Sequence, residues 1–326
     1  MSGSEEHTLL AVRVRRRTQL ADDIIGLELG ALDGAPLPAW AAGAHIDVEL
    51  PNGLLRQYSL CGDSAHTGRY EIGILRDPAS RGGSASAHDD IHEGGEVRIG
   101  APRNLFGLRS AQRSLLFAGG IGITPILAMA QELTRSGADF RLHYASRTPS
   151  RTAFIDRINA SAFADRVQFH FDDGAAAQRF DAVAAIGAPD PATHLYVCGP
   201  RGYMDHVIAT ARSLGWRDDN IHFEYFAAAL AEGEVAGDGH FEIRLAGRDL
   251  VVPVPPGTTA AQALIANGVP VPLSCEQGIC GTCVMRVLEG VPEHRDLFLS
   301  DTDKAANDRF TPCCSRARSA SLLIDF

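Results

Sequence analysis

Over residues 1–108 apolar and polar positions alternate in short runs, HTLLAVRVRRRTQLADDIIGLELG, AHIDVELPNG, LRQYSLCG, YEIGILRD and EVRIGAP, with Gly and Pro between them. A period of two is that of a half-buried strand, and short strands at regular spacing predict a small antiparallel β-barrel. From residue 113 the pattern changes. SLLFAGG, FRLHYAS, VQFHFDDG and HLYVCGP are continuous apolar runs, whereas PILAMAQELTRSG, RTAFIDRINAS and GYMDHVIATARSLG carry a helical period. Strands alternating with helices predict a doubly wound parallel α/β sheet. Thr124 and Pro125 fit a helix N-cap and first turn, and Gly215 fits a helix end. After FEYF, the stretch AAALAEGEVAGDG reads as a linker. Alternation then resumes in HFEIRLAG and RDLVVPVPPG, followed by a helical TTAAQALIANG. Three domains are expected: a barrel over 1–110, an α/β domain over 111–228, a linker over 229–239 and a compact mixed domain over 240–326.

Composition narrows the class. A chain of 326 residues exceeds what one core supports, and 45% hydrophobic with 21% charged residues is ordinary for a globular protein. No apolar run approaches the roughly 20 residues of a spanning helix, and the N-terminus lacks a signal-peptide core, so no membrane role and a cytoplasmic location are expected. The net charge of -10 argues against nucleic acid and anionic membranes as partners. The segment 231–326 is the most acidic, with eight basic against thirteen acidic residues. Seven cysteines in a reducing compartment are poor disulfide material, and five of them follow residue 270. The twelve histidines show no metal spacing.

Cys275, Cys280 and Cys283 are spaced Cys-x4-Cys-x2-Cys, and Cys313 follows after 29 intervening residues. That is the spacing of a plant-type 2Fe-2S centre. A zinc site competes, because CGTC is one knuckle, but its partner would have to be assembled from Cys275 and Cys313. Gly278 and Gly281 permit the close backbone approach that a cluster needs. Cys313 and Cys314 are adjacent, so in an extended stretch only one would face the site; spacing leaves open which. A cluster of this kind transfers single electrons, which implies a donor upstream.

Three upstream stretches are candidates. SRGGSASAHDDI places Arg81, Gly82, Gly83 and Ser84 at a helix start, a ready phosphate site; a plain capped helix is the competing reading. AGGIGITP lacks the GxGxxG order of the dinucleotide fingerprint, yet it has the right setting of strand, glycines and helix. YVCGPRGYM forms a second strand-to-helix turn at the same carboxyl edge, where Cys198 alone reads as a small buried hydrophobe. RQYSLCG is a strand ending in a glycine turn, and FEYF by itself reads as aromatic core packing.

Taken together, RQYSL, SRGGS, GGIGITP, CGP, FEYF and CEQGICGTC…CCSRA resemble the phthalate dioxygenase reductase family, single-chain reductases that supply Rieske oxygenases, over essentially the whole chain. The resemblance implies an antiparallel flavin-binding barrel, a nucleotide domain and a C-terminal β-grasp ferredoxin. It implies FMN lined by Arg56, Gln57, Tyr58 and Ser59, with Ser59 at the reactive edge and the phosphate held by Arg81, Gly82, Gly83 and Ser84. Gly120, Gly122, Thr124 and Pro125 would form the nicotinamide-side loop, and Cys198, Gly199 and Pro200 the opposite wall. Phe226 would cover the flavin until NADH displaces it. Cys275, Cys280, Cys283 and Cys313 would ligate the cluster, leaving Cys314 in a place where the family has Val. Ser146, Arg147 and Arg151 are placed to read a 2′-phosphate, although the likeness favours NADH, and Asp172 or Asp173 is a candidate for the ribose. Tyr225 departs from the small residue usual there. The implied route runs from NADH through FMN and 2Fe-2S to a Rieske-type terminal oxygenase, with the reductase a monomer. A hydride carries two electrons and the cluster takes one, so the flavin is the converter; positioning matters more than acid-base help, and no catalytic dyad is expected. Alternatives are a reductase for a cytochrome P450 or diiron hydroxylase, or a redox sensor that does not oxidise NADH rapidly.

Overall fold

The computed structural model describes residues 9–78, 82–226, 239–248, 250–273, 276, 278–279 and 281–326, so the expected linker lies almost wholly outside the described residues. The chain divides into two compact units, Met1–Phe226 and Ala227–Phe326.

The first unit opens with the strands β1 (Leu10–Ala21), β2 (Ile24–Ala31), β3 (Ala44–Glu49), β4 (Leu55–Ser59) and β5 (Tyr70–Leu75), then helix α1 (Gly83–Asp90), β6 (Glu96–Ile99) and the short β7 (Arg103–Asn104). The strand order is β4-β3-β6-β1-β2-β5, antiparallel throughout, with β7 on β3. A single bridge between Leu60 and Ile72 ties the end of β4 to β5 and curls the sheet into a barrel. The alternation in the sequence explains the inward set: Val12, Val14, Leu27, Leu29, Ile46, Val48, Ile72 and Ile74 share one buried core, while the arginines of β1 point away from it.

A parallel sheet follows, made of β8 (Arg113–Gly119), β9 (Asp139–Ser146), β10 (Val167–Phe171), β11 (Thr193–Cys198) and β12 (Ile221–Glu224), in the order β10-β9-β8-β11-β12. Four helices cover it: α2 (Ile123–Arg135), α3 (Ile155–Asn159), α4 (Ala182–Ile186) and α5 (Arg201–Ser213). Leu116, Tyr144 and Tyr196 pack under α2 on one face; Leu115, Phe117 and Val197 pack under α4 and α5 on the other. The α2 core also takes in Ile24, Ala42, Cys61 and Phe106 from the barrel segment. The two sheets therefore share buried apolar surface, which is why they form one unit rather than separate bodies.

Three local expectations are corrected. Helix α2 starts at Ile123 and Thr124 lies within it, donating its hydroxyl to Ile121 O (3.0 Å) instead of capping. The helical reading of RTAFIDRINAS holds only for the five residues of α3, because Phe154 before it takes a left-handed φ of 62° that no continuing helix adopts. Helix α4 has no periodic signal in its five residues and was not expected; Asp181 caps it by accepting the Ala184 N–H (3.1 Å).

The second unit contains β13 (Phe241–Leu245), β14 (Val251–Val254), α6 (Ala260–Ala266), β15 (Met285–Glu289), β16 (Pro292–Glu293), α7 (Asp301–Ala306), β17 (Arg309–Phe310), β18 (Arg316–Ala317) and β19 (Ser321–Ile324). The order β14-β13-β19-β15-β17 sets the last strand parallel to β13, between it and β15, with β16 and β18 as a separate ribbon. Helix α6 is fixed by a capping box of Thr259 and Gln262 and buries Ala260, Ala261 and Leu264 across this sheet. A hairpin, a helix laid over it and a returning central strand make a β-grasp. Among the described residues no helix is long and apolar enough to cross a membrane.

Candidate functional site

In the parallel sheet β8 lies beside β11, with β9 and β10 on one side and β12 on the other. The winding direction reverses between β8 and β11, and the carboxyl edge at such a reversal is where ligands bind in open α/β sheets. Two bare turns meet there. A Cβ on Gly122 would lie 2.3 Å from Cys198 O, and one on Gly199 would lie 2.9 Å from the Gly119 Cα. Gly120 has φ +51°. Glycine is required here by backbone-to-backbone approach as much as by dihedral angle. Thr124 and Pro125 are buried, and the Thr124 methyl stands 3.0 Å from where a Cβ on Gly73 of β5 would be, so both act through the shape of the loop.

The barrel contributes β4. Cross-strand register pairs Ser59 with His45, Tyr58 with Ile46, Gln57 with Asp47 and Arg56 with Val48. Alternation therefore puts Arg56 and Tyr58 on the barrel-core side and Gln57 and Ser59 on the face with His45 and Asp47. Burial pushes the Tyr58 phenol up to about 12. On the other face, Asp47 is ion-paired to Arg103 (2.7 Å), and His45 Nδ1 lies 3.8 Å from Glu224 Oε1. Glu224 ends β12, directly opposite Cys198 of β11. Ser59, His45, Glu224 and Cys198 thus converge where the barrel meets the switch edge.

Glu224 was not singled out by its sequence, because in FEYF the eye goes to the aromatics. Its Oε2 is buried and has no hydrogen-bond partner among the described residues. Burial pushes this carboxyl up to about 8 and, with the Arg103 charge adding to it, pushes the His45 imidazole down to about 4. Between those values both groups are neutral, so the 3.8 Å contact is not an ion pair near neutral pH. Burial and then the Glu224 charge push the Cys198 thiol well up, leaving it protonated. A buried acid with an unused oxygen fits a site completed by a polar ring edge. The aromatic-packing reading of FEYF holds only in part: Tyr225 packs against the core beside Phe223 and donates its hydroxyl to Asp205 Oδ1 (2.9 Å), but Phe226 is 37% exposed and Phe223 41%. Phe226 lies two residues beyond the end of β12.

Arg81 lies outside the described residues. Gly82 takes φ +85° as the N-cap of α1, and no described side chain caps that helix. Instead the Arg56 Nε stands 3.1 Å from where a Cβ on Gly83 would be. An uncapped helix N-terminus beside a guanidinium suits a phosphate, and Arg56 brings to it a cation expected elsewhere along the flavin. Ser84 Oγ accepts the Asp77 N–H (3.0 Å) and so braces the preceding turn. Ser146, at the end of β9, is buried with its hydroxyl 2.6 Å from that of Thr152, whereas Arg147 and Asp172 are exposed beside it, joined by the Asp172 N–H to Ser146 O (3.2 Å).

In the second unit Cys275 and Cys280 lie outside the described residues. Cys283 and Cys313 are both buried, and the Cys313 thiol is within hydrogen-bonding reach of Cys283 and Cys314. Residues 312–314 form a turn, not a strand, so alternation does not choose between the neighbouring cysteines. Cys313 neighbours both Cys283 and Cys314, and Cys314 Sγ lies 3.3 Å from Thr311 Oγ1. Gly278 (φ +72°) and Gly281 (φ +70°) make room for neighbours, since a Cβ would meet Cys314 Sγ at 2.4 Å and the Phe298 ring at 2.2 Å. Cys283 beside the glycine-rich loop and Cys313 are soft thiol donors of the kind that hold zinc or iron-sulfur centres, and among the described residues they are not joined by a third ligand into a closed metal group.

Residues 243–318 match the family model for a 2Fe-2S iron-sulfur cluster binding domain. The chain is 52% identical over 318 residues to a vanillate O-demethylase oxidoreductase of Pseudomonas sp. (strain HR199 / DSM 7063), covering 97% of this chain and 100% of that one. A solved phthalate dioxygenase reductase, described as a modular structure for electron transfer from pyridine nucleotides to 2Fe-2S, superposes with a TM-score of 0.78 at 38% identity over 98% of each chain. An intact type IV self-sufficient cytochrome P450 monooxygenase gives a TM-score of 0.82 at 36% identity over 97% of this chain and 41% of that one. With 52% identity across nearly the whole of a curated relative and the fold of the solved reductase, the chain belongs to the phthalate dioxygenase reductase family.

Proposed function

We propose that the protein is the reductase of a Rieske-type terminal oxygenase, drawing electrons from NADH and delivering them one at a time. The observation that carries the reading is the junction where Ser59 and His45 of the barrel face Cys198 and Glu224 of the nucleotide sheet. When bound, FMN supplies the conversion of a two-electron hydride into single electrons and the 2Fe-2S centre carries them outward. The residues do the positioning. The Gly119–Gly122 and Cys198–Pro200 turns take the nicotinamide, Gln57 and Ser59 flank the flavin ring, Tyr58 stands with Arg56 on the other face of β4, and Phe226 covers the ring's open face. Arg56, Arg81, Gly82, Gly83 and Ser84 hold the phosphate; Arg147 and Asp172 stand where the adenosine ribose would lie. Cys275, Cys280, Cys283 and Cys313 hold the iron. The domains are 1–110, 111–228 and 240–326, joined by 229–239, in a monomeric cytoplasmic protein.

Purified protein should show overlapping flavin and iron-sulfur absorption, release FMN on acid treatment and reduce cytochrome c rapidly with NADH. A colourless, zinc-bearing protein without NADH oxidation would sink the reading. The likeness to the P450 monooxygenase keeps a haem acceptor as the second reading. Reduction of a P450 faster than of a Rieske oxygenase decides for it.

A further inference from the structure

Strand β5 lies where the barrel meets the nucleotide sheet, and its Glu71 is tied to both. Arg157 of α3 donates from Nη1 to Glu71 Oε2 (2.6 Å) and from Nη2 to Gln131 Oε1 (3.0 Å). Gln131 of α2 donates in turn to Cys61 O (3.1 Å) and Gly62 O (3.3 Å). The circuit closes through the backbone: the Cys61 N–H donates to Glu71 O (2.9 Å), and Leu60 bridges to Ile72. Cys61 is two residues beyond Ser59, the end of β4, so the turn after Ser59 cannot shift without breaking bonds to β5 and α2 together. At its other end α2 carries a bare turn, since Gln131 is about two helical turns from Ile123. Gly73 of β5 faces that end, with Thr124 and Ile121 side-chain atoms 3.0 and 3.4 Å from where a Cβ would be. Packing fixes Arg157 less than these bonds do. Although Ile158 of α3 is buried, Arg157 itself lines a cavity of about 440 Å³ with Arg16, Thr18, Leu20 and Phe154. Beside such a space a side chain has few packing contacts, and directed, charge-assisted bonds hold it instead.

We propose that Arg157 is a positioning residue for hydride transfer. By tying Glu71 to Gln131 it fixes the turn after Ser59 against α2, and so sets the spacing between Ser59 at the flavin edge and the Gly119–Gly122 turn that takes the nicotinamide. It acts through other side chains and not on the reacting atoms. A displacement of about 1 Å between reacting groups slows transfer steeply, whereas binding of the nicotinamide, spread over many contacts, is kept. This role rests on the reading under Proposed function and names a residue that governs the same site from outside it.

The full-length holoprotein tests it, as wild type, Arg157→Met, Arg157→Lys, Gln131→Met and Arg69→Met. Stopped flow gives the limiting rate of flavin reduction by NADH, the NADH concentration at half-saturation and the long-wavelength absorbance of stacked nicotinamide and flavin. Mass spectrometry follows amide hydrogen exchange of residues 60–62. Arg157→Met is expected to lower the limiting rate about tenfold and weaken the long-wavelength band, with half-saturation and FMN content unchanged. Exchange at Cys61 should quicken in the same variant. Gln131→Met cuts the link from its other end and should match it, the double variant being no slower than either single one. Arg157→Lys, able to keep one of the two bonds, should fall between. Arg69 also donates to Glu71 (3.2 Å), so Arg69→Met removes a cation from the same carboxylate while sparing the link, and should behave as wild type. The role is overturned by a wild-type limiting rate in both Arg157→Met and Gln131→Met, or by a raised half-saturation with the rate unchanged. Equal slowing in Arg69→Met overturns it too, because charge at Glu71 would then be the cause. If Arg157→Met fails to fold, Gln131→Met carries the same decision. A wild-type protein without flavin or NADH oxidation rejects the reading under Proposed function, whatever the variants do.

Discussion

Glu224 shows how one residue acquires a property its sequence neighbours do not announce. Its carboxyl is desolvated between the two sheets of the first unit and titrates near 8 instead of 4.5. A raised folded-state value means the neutral form is favoured in the fold, so this stabilising contribution is complete below about pH 4.5 and is lost as pH rises through 8. Glu224→Gln is therefore expected to gain stability over wild type as pH climbs from 5 to 9, by on the order of 4 kcal/mol in urea denaturation. A gap independent of pH would show that the acid is solvated. At the other end of the chain, Cys313→Ser should abolish the iron-sulfur absorption and EPR signal, whereas Cys314→Val should keep both. Cys314 touches Thr311 and Gly278, and a Val of similar volume fills that space.

At the scale of elements, the β-grasp sheet is locked by one side chain from β18. Arg316 donates from Nη1 to Thr258 O (2.7 Å) and from Nη2 to Gly239 O (3.0 Å) and Pro255 O (3.3 Å), and stacks on Phe241 at 5.1 Å. Met can replace its apolar stem but not its donors, so Arg316→Met removes the hydrogen bonds to the Thr258 and Gly239 carbonyls and one of the two to Pro255 O. A loss of about 3 kcal/mol is expected, seen as a lower-melting calorimetric transition with the flavin still bound in the first unit. A comparable constraint governs the paired turns of the nucleotide sheet. Gly122→Ala would drive a methyl against the Cys198 carbonyl, a backbone atom that cannot swing away. That variant is expected to bind NADH at least about tenfold more weakly by fluorescence titration, while flavin content is unchanged.

Over the whole molecule, opposite titrations bracket the stable range. His45, His143 and His222 are each pushed down to about 4, chiefly by burial. Because the unfolded chain takes up these protons near 6.5, their stabilising contribution is present above that pH and is lost as pH falls from 6.5 through 4. His143, stacked on Phe117 and 3.1 Å from His170, accounts for on the order of 2 kcal/mol of this loss. With Glu224 acting in the other direction, melting temperature should peak between about pH 6 and 7. The acid limb should flatten in His143→Asn and the alkaline limb in Glu224→Gln. A profile still falling equally on both sides in the two variants would place the responsible groups elsewhere.

Much of this was legible in the sequence because it depends on neighbours along the chain. Period-two alternation in residues 10–99 specifies a half-buried sheet; strand–glycine–helix runs specify the bare turns; the Cys-x4-Cys-x2-Cys loop specifies sulfur ligation by its own spacing. What only the tertiary structure decided depends on residues far apart in sequence. It paired His45 with Ser59, set Glu224 against Cys198, and carried Arg56 to the start of α1. It also brought Cys313 and Cys314 beside Cys283 from thirty positions away in the chain. Periodicity records which face of an element is buried, but not which other element buries it, and desolvation, which sets the proton affinities here, exists only once the two have met.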